Sequence, residues 1–410
     1  MNIVILIYDS VRPDFLPVNP HTEVQAPTIE KFARESVNFR EAITSAPWTL
    51  PSIAAIIGGI YSHKLGLYTW TQPYPDDVKT LFHYLEEEGY SIGTFVFDTR
   101  YLFSHMPFAH VVDHSRDFKK VLKWINDHSN TKFLLFYHGW LTHIPWEPMN
   151  SDEAWRRAVR EIHKKLRENW QDAVKWCKTR YIKAIEYVSE HEIKQLLQLL
   201  EERDILDETL IFLISDHGES WGERIEDKTQ IRVNFDLHGR FLYDENIKIM
   251  MLVKFPHSWS KGKTIDCQVR SVDILPTILE LLGIPPSSTS RPLDGRSLLP
   301  VVKGTDTKRI AVVSTTGLVN EDYAPYIAKM AIRDFPYKLI VDFEEDKWEF
   351  YDLLQDPYEM TNLYNNPTLY KKVLKLKELL QREKNLIPSH MVEQFEKIKM
   401  QKMLKQLGYL

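Results

Sequence analysis

Leu210-Ile-Phe-Leu-Ile-Ser215 runs straight into Asp216-His217-Gly218-Glu219. A short, continuous apolar run rich in β-formers is the pattern of a strand covered on both faces. A carboxylate and an imidazole then stand side by side at its carboxyl end. The amino terminus repeats the arrangement: Ile3-Val-Ile-Leu-Ile7 stops abruptly before Asp9-Ser10. The pattern predicts further strands over 92–97 and 132–137, and helices over 28–36, 51–57 and 79–88, the last stopping at Gly89. Strands alternating with helices need crossover connections, so the fold class is α/β: a mostly parallel central sheet flanked by helices. In such sheets functional residues lie beyond the carboxyl ends of strands.

The 410-residue chain has 52 Lys and Arg against 57 Asp and Glu, a net charge of -5. Mild acidity leaves no global footprint for nucleic acid or an anionic membrane, so no polyanion partner is expected. Two cysteines, Cys177 and Cys267, cannot build a disulfide framework or a four-thiolate metal site, which fits a cytoplasmic setting. The first apolar run is shorter than the ~7 to 15 residues of a signal peptide core, and no stretch reaches the ~18 of a membrane span.

Residues 1–304 read as a catalytic α/β domain. Within it, 151–183 hold ten Lys and Arg against five Asp and Glu, with Trp155, Trp170 and Trp176 interleaved. That composition describes either an exposed helical pair anchored by its tryptophans or a lid. Beyond Gly304 the pattern changes to closely spaced strands at 310–314, 326–333, 337–343 and 348–351, predicting an antiparallel sheet. Residues 305–410 thus read as a smaller α+β subdomain ending in two helical stretches, 368–383 and 389–406.

Several residues carry chemistry. Asp9, Asp216 and His217 offer oxygen and nitrogen donors from neighbouring strand ends, a donor set for a divalent cation. Thr49, in Ala46-Pro-Trp-Thr-Leu-Pro51-Ser52, precedes a small-residue helix ending in Gly58-Gly59. Its hydroxyl would feel the positive end of the helix dipole. Read locally, the pattern favours Thr49 as a plain N-cap with Pro51 near N1.

Taken together, Asp9-Ser10-Val11-Arg12, the Thr49 to Ile53 block with Gly58-Gly59 and Tyr61-Ser-His63, and Ser215-Asp-His-Gly-Glu219 resemble the sulfatase family of the alkaline phosphatase superfamily. His238-Gly239, Val272-Asp273 to Thr277, Asp294-Gly-Arg-Ser and Tyr351-Asp-Leu-Leu-Gln-Asp356-Pro extend the likeness along nearly the whole chain, as do Leu407-Gly408-Tyr409-Leu410. The resemblance implies that Asp9, Asp216 and His217 bind one divalent metal, with Thr49 as metal-bound nucleophile. It also implies that His238 and His143 contact the oxyanion or leaving group. Ser10, Arg12, His138 and His63 follow as second-tier positions, His63 read as structural.

Departures from the family pattern are as informative. Sulfatases of this family carry Cys or Ser at the nucleophile, oxidised to formylglycine, with Arg four residues on; this chain has Thr49 and Ile53. Threonine cannot become an aldehyde because its β-carbon already bears a methyl group, so no formylglycine is expected. Ser10 stands where many sulfatases have a second metal-binding Asp, and Leu65 where a second His is frequent. Zinc or manganese suits the donor set, with calcium or magnesium as alternatives.

The activity these features imply is metal-dependent hydrolysis of an anionic ester: a phosphate mono- or diester, a phosphonate ester or a sulfate ester. A covalent threonine ester would form and be resolved by water. A phosphoryl head-group transferase and a catalytically silent binding module are the competing readings. Trp140, Trp146, Trp70 and Tyr68 lie near the motifs and read equally as stacking groups for a substrate or as core.

Overall fold

Every residue of the strand Asn2–Tyr8 is buried, as is every residue of Thr209–Ile214 and Phe133–Gly139. These three are neighbours at the centre of an eight-stranded sheet in the computed structural model. All residues are described except 19–22, 97–102, 109–110, 114–116, 149–151, 223–236, 289, 320–321 and 407–410. The end of the strand predicted over 92–97 and the motif at the carboxyl terminus lie outside the described residues.

From edge to edge the sheet runs Thr264–Ile265, Val37–Phe39, Met251–Lys254, Thr209–Ile214, Asn2–Tyr8, Phe133–Gly139, Ser91–Phe95 and Val111–Asp113. Among these described strands only Met251–Lys254 runs against its neighbours. Ile7 pairs with His138 on one side and with Ile214 on the other, so three strands end level with one another. Asp9 and Asp216 therefore emerge at the same carboxyl edge.

Helices cover both faces. One layer contains Thr49–Gly58, every residue of which is buried, capped by Gly59 in the left-handed conformation at φ 64° with its N–H on Ala55 O. The other contains Asp152–Glu168, Trp170–Val188 and Lys194–Glu202, from which Ile162, Cys177, Tyr181, Ile185, Leu196 and Leu200 pack on the sheet. The basic tryptophan-bearing segment is thus a packed helical pair. Trp155 donates from Nε1 to Ile144 O at 3.1 Å, and Arg180 lies over Trp176.

Ala311–Val319, Asp322–Asp334, Tyr337–Asp342 and Lys347–Asp352 form the carboxyl-terminal antiparallel sheet. Its inner residues Met330, Ile332, Leu339, Val341 and Phe350 belong to the same hydrophobic cluster as Ile3, Ile5 and Ile53. The smaller sheet is therefore continuous with the main core. The helix Tyr370–Lys384 enters that cluster through Val373, Leu376 and Leu380, while Ser389–Gln406 lays Phe395 against Tyr326. No helix of the described residues is long and apolar enough to cross a membrane.

Candidate active site

Strand register decides where the donors point. The Asp9 N–H donates to Gly139 O at 3.0 Å, prolonging the ladder by one residue, and Thr142 Oγ1 donates to Asp9 O at 2.7 Å. Ser215 Oγ donates to Val11 O at 2.6 Å, and Ser52 Oγ donates to Asp216 O at 2.7 Å. Gly218 lets the loop pass under Glu245: a Cβ would lie 2.1 Å from the Glu245 carbonyl oxygen.

Asp9, Asp216 and His217 are fully buried, and their ligand atoms lie within 4.8 Å of one another. His217 donates from Nδ1 to Gly218 O at 2.8 Å, which leaves the Nε2 lone pair directed between Asp9 Oδ1 at 3.5 Å and Asp216 Oδ2 at 3.6 Å. Those two carboxylate oxygens have no hydrogen-bond partner. Two buried carboxylate oxygens without a hydrogen bond, facing a bare imidazole nitrogen, fit a divalent cation, which would satisfy all three.

Thr49 is the first residue of its helix, and the N-cap is Trp48. Its Oγ1 donates to Asp9 Oδ2 at 3.2 Å and lies 3.3 Å from His217 Nε2. His138 faces the same carboxylates, with Nε2 3.3 Å from Asp9 Oδ2 and 3.7 Å from Asp216 Oδ2. Burial opposes its charge, but Asp216 and Asp9 raise its pKa to about 9. Asp9 shows the reverse: burial resists ionisation, while His143, His138 and His217 hold its carboxyl well below the usual range.

Two further imidazoles close the cluster. His143 stacks on Trp140 with centroids 3.8 Å apart and donates from Nδ1 to Ile144 O at 2.8 Å. Burial lowers its pKa to about 4, against the pull of Asp9, and His238 adds to the lowering. His238 lies 5.1 Å from the His143 ring and 4.9 Å from the His217 ring, its Nδ1 3.0 Å from Glu219 Oε1. Burial lowers its pKa, yet Glu219 raises it above the ordinary value.

The remaining second-tier positions point elsewhere. Ser10 sits at φ 57°, gives its backbone N–H to Asp216 Oδ1 at 3.1 Å and its hydroxyl to Thr142 O at 3.2 Å. Arg12 turns to Asp14 and to Glu219 O, and its N–H meets Tyr181 Oη at 2.7 Å. Tyr181 Oη in turn donates to Ser10 O, so the basic helical pair props the loop after the first strand. His63 is buried away from the cluster against Glu383 at 3.0 Å. Glu219, which the sequence reading left as part of a motif, is the partner that tunes His238.

The sulfatase family model matches residues 1–284, and the model of the N-sulphoglucosamine sulphohydrolase carboxyl-terminal region matches 234–386. A choline-sulfatase of Rhizobium meliloti (strain 1021) is 22% identical over 447 residues, covering 89% of this chain and 83% of its own. Among solved structures, the phosphonate monoester hydrolase of Agrobacterium radiobacter superposes with a TM-score of 0.76 at 16% identity, covering 94% of this chain and 96% of that one. A protein in complex with D-glucosamine-2-N,6-O-disulfate superposes at 0.73 and 18% identity, covering 94% and 98%. At such identities the structural likeness speaks to the fold. The family model spans well over half of the sequence, and the chain belongs to the sulfatase family, as a hydrolase acting on ester bonds.

Proposed function

We propose that this chain hydrolyses phosphonate esters or phosphate diesters by direct attack of Thr49, with His238 as general acid and His143 as general base. The observation that carries the reading is the position of Thr49 Oγ1, 3.2 Å from Asp9 Oδ2 and 3.3 Å from His217 Nε2, in a residue that cannot form an aldehyde. Asp9, Asp216 and His217 would hold a divalent cation, zinc or manganese by donor type. Such an ion, when bound, acidifies a coordinated hydroxyl and offsets charge on a non-bridging oxygen.

The protein's own groups divide the remaining work. Asp9 accepts the Thr49 hydrogen bond, orients the attacking lone pair and takes the hydroxyl proton as the Oγ1–phosphorus bond forms, returning it to Oγ1 when water breaks the threonine ester. His238, whose imidazolium Glu219 favours, can give its Nε2 proton to the leaving oxygen as the bond to phosphorus breaks. His143 is neutral with its proton on Nδ1, so its Nε2 is free to take a proton from the water that cleaves the threonine ester. Two imidazoles tuned apart by their surroundings supply the acid and the base.

Sulfate ester hydrolysis is the second reading, favoured by the sulfatase relatives. The test is turnover of p-nitrophenyl phosphonate, phosphate diester, phosphate monoester and sulfate by metal-stripped protein re-supplied with zinc, manganese, magnesium or calcium. Expected is phosphonate or diester turnover that needs metal and falls at least ~10³-fold in Thr49→Ala, while Thr49→Ser keeps part of it. Unchanged turnover in Thr49→Ala would overturn the nucleophile; turnover of sulfate alone would move the reading to sulfuryl transfer without formylglycine.

A further inference from the structure

His138 stands opposite Ile7 where the strand Phe133–Gly139 pairs in parallel with Asn2–Tyr8. Side chains alternate along a strand, and residues paired across a ladder share a face. Leu134 and Phe136 lie in one hydrophobic cluster with Ile3, Ile5 and Ile7. His138 continues that face on one strand as Asp9 continues it on the other, so an imidazole arrives where the pattern would place another apolar residue. Its ring is wholly buried, in T-shaped contact with Phe103 at 5.7 Å and with Trp140 at 6.0 Å.

Among the described residues, neither ring nitrogen of His138 makes a hydrogen bond. Nε2 nevertheless lies 3.3 Å from Asp9 Oδ2 and 3.7 Å from Asp216 Oδ2. His217 Nε2 stands at matching distances, 3.5 Å from Asp9 Oδ1 and 3.6 Å from Asp216 Oδ2. Asp216 presents that oxygen to both rings because the backbone N–H groups of Ser10 and His217 hold its Oδ1 at 3.1 and 2.9 Å. Metal bonds of about 2.0–2.2 Å at tetrahedral angles put donor atoms about 3.3–3.6 Å apart, close to the spacing of both imidazoles from the carboxylates. Ser10 does not replace the aspartate common at its position, since its hydroxyl turns to Thr142 O. Two carboxylates and two neutral imidazoles also balance the charge of one divalent ion.

We propose that His138 is a fourth protein ligand of the metal, joining Asp9, Asp216 and His217 through Nε2 and making the site selective for zinc. The assignment rests on the metal site of the hydrolase reading and adds a donor beyond the three that the family likeness implies. In the metal-free protein the His138 imidazolium balances Asp9 and Asp216; on metal binding Nε2 releases its proton to solvent and bonds the ion instead. A second imidazole in place of an oxygen donor favours zinc over calcium and magnesium, which take oxygen. Thr49 Oγ1, 3.2 Å from Asp9 Oδ2, is left as the exchangeable fifth donor.

For the test, metal-stripped protein is loaded with one equivalent of zinc, and X-ray absorption of wild type and of His138→Leu counts the imidazoles on the ion. Zinc and calcium affinities of both proteins are measured by competition with a chelating dye. Expected are two imidazoles in wild type and one in His138→Leu, with zinc held at least ~100-fold more weakly in the variant and the preference for zinc over calcium narrowed by a similar factor. The wild-type spectrum decides the matter even where the variant folds poorly. One imidazole in wild type, the same count in both proteins, or no zinc bound would overturn the ligand. Equal or tighter zinc binding in His138→Leu would overturn it too, being the result for a ring that serves only as counter-charge to the carboxylates. An unaltered preference for zinc over calcium would overturn the selectivity. Zinc on two imidazoles without turnover of any ester would count against the hydrolase reading alone, and metal-dependent turnover with one imidazole against His138 alone.

Discussion

His143 and His238 sit ring to ring 5.1 Å apart, yet their surroundings push them in opposite directions. The buried Glu219 carboxylate at 3.0 Å favours the imidazolium of His238, so its proton persists to higher pH than in water. A reaction that needs this proton should fail only as pH rises through the raised pKa. Glu219→Gln removes the charge and keeps the shape, and the alkaline limb of kcat/KM should then move to lower pH. The acid limb, which His143 as the proposed base would set near pH 4, should stay in place. A pH profile of the two proteins checks this, and an unmoved alkaline limb would remove His238 from the role of acid. At this scale the donors Asp9, Asp216 and His217 were legible because each follows an apolar run. Glu219 was not, since nothing in its spacing announces that it turns back to an imidazole nineteen residues later.

Elements set these side chains in place through close approaches that tolerate no substitution. The Gly218 N–H donates to Asn246 O at 2.9 Å, and a Cβ on Gly218 would lie 2.1 Å from Glu245 O, against backbone rather than a flexible side chain. Gly218→Ala must therefore displace the loop that carries Asp216 and His217. We expect a stability loss of about 1–3 kcal/mol, typical of overpacking, together with weaker metal uptake. Urea unfolding and metal titration of the variant test both; a fully metal-competent Gly218→Ala would mean that the loop yields freely. The helix Thr49–Gly58 shows what sequence reasoning sees and misses. Its apolar run and terminal glycines predicted a buried helix over 51–57, but a single residue at the start decides whether Thr49 caps the helix or enters it. With Trp48 at the cap, the Thr49 hydroxyl is released toward Asp9. The basic segment at 151–183 was ambiguous for a related reason: tryptophans and charges alternate in solvated and packed helices alike, and what ties it to the site is Tyr181, bridging Ser10 and Arg12, with Trp155 on the Ile144 carbonyl that also accepts His143.

Across the whole molecule the two sheets are joined by buried charge as well as by a common apolar core. Arg333 Nη2 lies 2.6 Å from Glu41 and 2.7 Å from Asp244, and Lys338 reaches Asp244 at 2.8 Å and Glu359 at 2.6 Å. Removing one partner strands the others, so Arg333→Met should cost about 3–5 kcal/mol in denaturant unfolding. A change within ±0.5 kcal/mol would show the network to be dispensable. None of this network was visible in the sequence, because its members are spread from residue 41 to residue 359 and share no period.

A second long-range tie gives the fold its own pH dependence. His63 is wholly buried beside Glu383 of the helix Tyr370–Lys384, and Lys64 bridges Glu383 and Asp294. Burial lowers the His63 pKa despite Glu383, so the folded state keeps a neutral ring that the unfolded chain would protonate. As pH falls, the unfolded state binds its proton first; the stability is fully present above the unfolded value of about 6.5 and declines below it. The Glu383 carboxyl, lowered by His63 and Lys64 against burial, loses stability in the same direction at lower pH. Thermal unfolding of wild type should therefore fall between pH 7.5 and about pH 5, and His63→Gln, which keeps a donor toward Glu383 but cannot titrate, should flatten the upper part of that fall. Equal slopes in the two proteins would mean that the acid sensitivity arises elsewhere, with His138, His143 and His238 as the next groups to replace.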